Sequence, residues 1–272
     1  MNVFITNSHS RNHAIEAWLY KTKNTMIRML RYPRALSAAL LIGAAMALST
    51  RAAETVDTNK WVSSVAAGMT LTSGTKDTLL AAINIATAKK APHYEIKLGA
   101  GGAYGETDGD KTTANALGYG QYNYLFTERF YAGIRLEAMH DSIVDIDYRF
   151  TLSPLVGYYL IKNTNAQFFV EAGPSLVVEQ QGGVQDTYAA LRLAERYERK
   201  LSDFAKVWES VEFIPQVDDF ENFIVNIEVG VEAALNKALA LRVVFRDQYD
   251  NVPAPGAEKN EIQFIASVVY KF

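Results

Sequence analysis

The sequence predicts an all-β fold: a transmembrane antiparallel β-barrel of about 12 strands, following an N-terminal signal peptide. Three observations carry this. The last segment alternates without a break, with Ile262, Phe264, Ala266, Val268, Tyr270 and Phe272 on one face and Gln263, Ile265, Ser267, Val269 and Lys271 on the other. A tilted strand of that length crosses a bilayer. Most of the chain from residue 61 onward repeats the format, with alternating segments divided by turn signals. The mean hydropathy is near zero, which excludes a series of spanning helices.

The N-terminal region divides in two. Ala35–Leu48 is apolar, follows Arg28, Arg31 and Arg34, and leads into small residues. A basic region, a short apolar region and a small-residue exit make residues 26–52 a secretory signal peptide. Thr50 and Ala52 set cleavage after Ala52, with Ala47 as the alternative site. Residues 1–25 do not belong to this pattern. They read as a non-native extension, with translation starting at Met26 or Met29; an unusually long leader is the alternative. Residues 53–272 then form the barrel.

The strands fall at 61–72, 78–89, 93–105, 112–125, 129–140, 147–160, 166–179, 187–200, 205–216, 222–235, 238–249 and 260–272. An even number places both barrel termini on the periplasmic side. Lys89–Pro92, Phe126–Glu128, Ile161–Asn165, Leu201–Phe204 and Asn236–Lys237 are then short periplasmic turns. Glu106–Lys111, Asp141–Ile146, Gln180–Asp186, Val217–Glu221 and Asp250–Lys259 are mostly longer, more acidic outer loops; the first, Ser73–Asp77, is among the shortest. Two places fit less well. Residues 187–208 also satisfy helical spacing, so an amphipathic helix stays open there. Two strands are assigned because Ala189, Leu191, Leu193 and Tyr197 can face out while Arg192 and Arg196 face in. Pro154 and Pro174 lie inside strands, where proline cannot donate to the ladder. A turn centred on Thr164 sets them opposite each other and predicts a bulge or interrupted pairing.

Alternation assigns the faces. In the tenth strand Phe223, Val225, Ile227, Val229, Val231, Ala233 and Leu235 share one side, and Asn226, Glu228, Gly230 and Glu232 the other. A turn near Lys237 sets Glu232 against Arg242 and Glu228 against Arg246. A charge on the lipid face costs about 2–4 kcal/mol at the midplane, so these rows belong in the lumen. Arg135, Glu137, Arg149, Glu171, Arg192, Arg196, Glu95, Lys97 and Lys271 join them. Acids and bases nearly balance, which predicts a lumen filled by paired charges; a polar pore is the alternative. Gly99, Gly101, Gly105 and Gly157 share the inward parity and make room for long side chains or for solute. Trp61, Tyr94, Tyr104, Phe130, Tyr148, Tyr158, Phe168, Tyr249 and Tyr270 stand near strand ends, as interface girdles do.

The charge and motif inventory narrows the function classes. Residues 1–53 hold seven of the 27 Lys/Arg and one of the 30 acids, leaving 20 basic and 29 acidic residues in the remainder. A net of −9 argues against nucleic acid as a partner. The chain has no cysteine, so it offers neither a disulfide framework nor a thiolate metal site. Tyr104 occupies the last glycine position of a dinucleotide pattern, and Asp108 and Asp110 lack the rest of a calcium-loop ligand series. No cofactor or metal is predicted. His93 and His140 are the two histidines beyond the leader. A rim hydrolase would need His140 with Asp141, Asp145 or Asp218 and a serine, but Ser153 points inward. No catalytic residue is assigned.

Several segments resemble one family. Gly68-Met69-Thr70-Leu71-Thr72-Ser73-Gly74-Thr75-Lys76-Asp77-Thr78 is similar to its opening hairpin, and Tyr104-Gly105-Glu106-Thr107-Asp108-Gly109 to its second. Phe213-Ile214-Pro215 with Asp218, and Tyr249-Asp250-Asn251-Val252-Pro253-Ala254-Pro255-Gly256, are similar to its closing third. The family is that of the YdiY-like salt-induced outer-membrane proteins, a domain-of-unknown-function family. The resemblance spans about residues 60–272. It implies a Gram-negative outer-membrane barrel linked to salt or envelope stress, and no catalytic residues. The terminal aromatic strand also resembles the insertion signal of bacterial barrels, with Phe264, Val268, Tyr270 and Phe272 as its residues. The partners implied are the barrel assembly machinery, outer-membrane lipid and lipopolysaccharide.

Overall fold

The computed structural model describes residues 59–72, 78–255 and 257–272. The expected extension (1–25) and signal peptide (26–52) lie outside them. The described residues form twelve strands: β1 (Trp61–Thr72), β2 (Thr78–Lys90), β3 (Tyr94–Thr107), β4 (Asp110–Leu125), β5 (Phe130–Asp141), β6 (Ile146–Lys162), β7 (Ala166–Gln181), β8 (Val184–Lys200), β9 (Ala205–Pro215), β10 (Phe223–Ala234), β11 (Leu239–Asp250) and β12 (Asn260–Lys271). Each pairs antiparallel with its chain neighbours, and β12 returns to β1 to close the barrel. The stretch that also had helical spacing is β8, β9 and the turn between them. Closure suits the chemistry, since it removes the unpaired edges that neither lipid nor water would tolerate well.

The seam is the shortest ladder. β1 and β12 share four register pairs, from Ser64↔Lys271 to Ala67↔Val268. Beyond them, Phe272 exchanges two backbone hydrogen bonds of 3.1 Å with Ser63. Turns at 91–93, 126–129, 163–165, 201–204 and 235–238 share the end of the barrel that carries Phe272, here the short-turn end. The opposite, long-loop end differs from expectation in two places. The strands continue through most of Glu106–Lys111 and Gln180–Asp186. Asp108-Gly109 (φ 54° and 86°) and Gly182-Gly183 (φ 59° and 74°) then close tight hairpins. Two successive positive φ values define the type I′ turn, which matches strand twist and favours Asp-Gly and Gly-Gly.

The β6–β7 ladder lapses between Leu152↔Leu176 and Val156↔Ala172. Pro154 and Pro174 stand opposite each other in that gap, where neither supplies an N–H. Inside the barrel Ser153 Oγ and Ser175 Oγ lie 2.6 Å apart and bridge the two strands there.

The outer wall is apolar. Ile83, Ile85, Leu136, Phe150, Leu176, Val229, Leu241, Phe264 and Val268 are all exposed. Aromatic contacts gather at both ends. Tyr94–Tyr122, Tyr124–Phe126, Phe126–Phe130, Phe168–Tyr197 and Tyr270–Phe272 lie toward the short turns, and Phe213–Phe223 and Phe223–Tyr249 toward the loops. Carboxylates interrupt this wall: Glu195 pairs in register with Val170, Glu209 with Val229 and, nearer the loops, Asp247 with Ile227, all on the outer face.

Candidate functional site: the lumen

Inward side chains follow from strand parity, and the register fixes which of them meet. Glu228 lies opposite Arg246 and Glu232 opposite Arg242 across β10–β11. A one-residue slip would turn every one of these charges into the apolar surroundings, so the register is held firmly.

The β3–β8 wall carries the dense half of the lumen. Glu171 accepts hydrogen bonds from Gln121 Nε2 (2.7 Å), Tyr131 Oη (2.8 Å) and Arg192 Nη1 (2.8 Å). Arg192 also donates to Glu212 on β9. Glu95, on β3, accepts from Tyr159 Oη of β6 at 2.6 Å, and Lys162 Nζ lies 3.7 Å from it. Lys97 Nζ sits 4.6 Å from the Phe169 ring centroid. Lys90 on β2 donates to Gln167 on β7 at 3.0 Å. Leu125, Tyr131, Leu155, Tyr159 and Phe169 pack into an apolar cluster inside the barrel. Glu95, Glu171 and Arg192 are buried yet each has a partner, the condition under which burial is tolerable.

Glycines make this filling possible. A Cβ at Gly99 would overlap the Tyr119 ring, one at Gly157 the Tyr131 ring, and one at Gly230 the Trp208 ring. The inward room left by Gly99 and Gly157 is therefore taken by aromatic rings from neighbouring strands.

The β9–β12 wall is more open. Glu228 accepts from Trp208 Nε1 (2.8 Å) and Arg246 Nε (2.9 Å), with Arg196 Nη1 at 3.7 Å. Glu232 takes Arg242 Nη2 and Lys271 Nζ, each at 2.6 Å. At the loop end, Arg149 pairs with Glu179 and reaches Asp250 on β11 at 3.8 Å. Asn115 on β4 donates to Glu261 on β12 at 3.3 Å. Asp141 is fully buried beside this contact.

The ladder residues read from the sequence thus separate into groups. Glu228, Glu232, Arg242, Arg246 and Arg196 meet. Arg192 joins Glu171 and Glu212 instead. Arg135 pairs with Glu137 at 2.5 Å, and Arg149 sits alone of the set at the loop end. Sequence parity missed the lumen aromatics Tyr119, Tyr131, Tyr159, Phe169 and Trp208. The paired signal that marks three of them is an inward glycine on the adjacent strand. The rim residues of a hydrolase do not meet: His140 Nδ1 lies 2.8 Å from the Asp147 carbonyl, while Ser153 is buried against Ser175. Among the described residues no group of three or more His, Cys, Asp or Glu is placed to hold a metal ion.

A closed antiparallel barrel with an apolar outer wall and a charged interior defines the class of membrane-spanning β-barrels. The model of the family described as "Protein of unknown function, DUF481" matches residues 65–272, and the chain belongs to that family. The YdiY-like resemblance points to the same family. Among solved structures, NanC porin aligns at 6% identity over 77% of this chain and 98% of its own, with a TM-score of 0.49. KdgM porin aligns at 8% over 78% and 99%, with 0.46. An outer membrane channel from Pseudomonas putida F1 aligns at 9% over 83% and 100%, with 0.47. No curated protein matches the sequence.

Proposed function

We propose that this chain works as a structural barrel of a Gram-negative outer membrane, adapted to salt or envelope stress, with a lumen closed to bulk solute flow. One observation carries the closure: side chains from distant strands touch across the interior at both ends. Lys90–Gln167 and Glu95–Tyr159 do so toward the short turns, and Asn115–Glu261 and Arg149–Asp250 toward the loops. Export behind a cleaved leader, and insertion through Phe264, Val268, Tyr270 and Phe272, belong to the same reading. So do contacts with lipid, lipopolysaccharide and the barrel assembly machinery.

A salt-adaptive role fits the physics of the dense wall. Buried ion pairs are screened far less than exposed ones, so the Glu171–Arg192–Glu212 network keeps its strength as ionic strength rises. Proteoliposomes carrying the purified protein test the closure. The expected outcome is no uptake of a small neutral sugar above that of protein-free vesicles; rapid uptake refutes it. The second reading, a narrow diffusion path, is favoured by the water-accessible cations of the β9–β12 wall, and the same assay decides between them.

A further inference from the structure

The interior is nearly balanced in total charge but not locally. On the β8–β12 wall, Glu228 serves both Arg246 and Arg196, and Glu232 serves both Arg242 and Lys271. Two carboxylates therefore answer four cations, a surplus of positive charge within this group. Lys206 adds a fifth cation, which shares its charge with Glu198 at 3.4 Å. Across β7–β9, Glu171 and Glu212 share Arg192, and Glu212 also accepts from Asn226 Nδ2 at 2.9 Å, so one carboxylate there offsets part of the excess and a net positive charge remains.

The layering is as informative as the count. The Glu232 side chain lies against the wall at 2% exposure, while Arg196, Lys271 and Arg246 stand at 33%, 36% and 39%. Trp208 lies buried over Gly230 with its Nε1 tied to Glu228. Three cations gather on its ring: Arg196 and Arg242 each 5.8 Å from the ring centroid, and Lys206 5.6 Å. Glu232 and the indole thus form a floor, Glu228 at 26% and Arg242 at 21% stand partly above it, and Arg196, Arg246 and Lys271 are the side chains that water reaches most. Guanidinium groups fixed by carboxylates on one edge keep free N–H donors on the other, the fork geometry that suits oxyanions. Low-dielectric walls around such a layer strengthen its field.

We propose that this lumen wall over Trp208 is a binding site for a small oxyanion of the phosphate type. Arg196, Arg242 and Lys206 converge on that one ring, and the wall's surplus of positive charge favours an anion there. The site rests on the barrel reading but not on lumen closure, since occupancy requires no passage through the barrel.

The test uses the protein purified from membranes into detergent, where leader cleavage removes Trp18, with Trp61→Phe so that Trp208 reports. Inorganic phosphate is titrated at constant ionic strength maintained with sodium chloride. The expected result is a saturable change in Trp208 emission, with affinity at least tenfold weaker in Arg196→Gln/Lys206→Gln. Those two side chains are water-accessible, and heat-dependent gel mobility confirms that the variant barrel is folded. Arg135→Gln, on the opposite wall, leaves the affinity unchanged. Absence of a saturable change overturns the proposal, as does equal affinity in the double variant or equal loss in Arg135→Gln. A barrel that passes sugar yet binds phosphate refutes closure and keeps this site; a sealed barrel without the titration does the reverse.

Discussion

The β3–β8 wall buries its charges among aromatic rings, whereas the β9–β12 wall keeps most of its cations where water reaches them. Glu171, Glu95 and Arg192 are all buried, and each has at least two partners. Arg246 and Lys271 have one carboxylate each and remain accessible. The difference shows that one interior holds two kinds of ion pair. In the first kind, removing a partner strands a charge in a dry setting, which is costly. In the second, water replaces the partner and little is lost.

Substitutions in order of expected effect probe this contrast. Glu171→Leu removes the acceptor for Gln121, Tyr131 and Arg192 at once, and should destabilise the barrel by about 3–5 kcal/mol. Denaturant unfolding in lipid vesicles measures it, and a loss under about 1 kcal/mol would erase the distinction between the walls. Glu232→Gln should cost about 1–3 kcal/mol in the same assay. Glu232 is buried, but Lys271 retains access to water. On the outer wall, Glu195→Leu with Glu209→Leu should raise stability by about 1 kcal/mol, because both carboxylates face the apolar surroundings. Arg246→Gln should change stability least, by less than about 1 kcal/mol. Raising sodium chloride from about 0.1 to 1 M should leave the wild-type midpoint nearly unchanged while reducing any effect of Arg246→Gln.

Much of the fold was legible because parity and turn chemistry are local. Alternation places β10 and β11 within a residue or two and sets Glu228 against Arg246. Asp108-Gly109 marks its hairpin through the positive φ that type I′ demands, although the strands run further toward it than the acidic composition suggested. Parity also forces Glu195 outward between Leu193 and Tyr197, a consequence visible in the sequence but at odds with a wholly apolar wall. What was not legible is which inward residues meet across strands that are not neighbours. Parity gives a face but neither height nor position around the barrel, so Glu95 with Tyr159, or Arg149 with Asp250, cannot be paired from spacing. The lumen aromatics were hidden for a related reason. An inward ring reads as a misplaced core residue until the glycine beneath it, as in Gly157 under Tyr131, explains where it fits.

Planar-bilayer recording of the membrane-purified wild type beside Arg246→Glu tests the closed lumen most directly. The predicted result is a bilayer without large, long-lived conductance steps for either protein. Large ohmic steps whose ion selectivity shifts on Arg246→Glu would contradict it, and would make the β9–β12 wall the lining of an open pore.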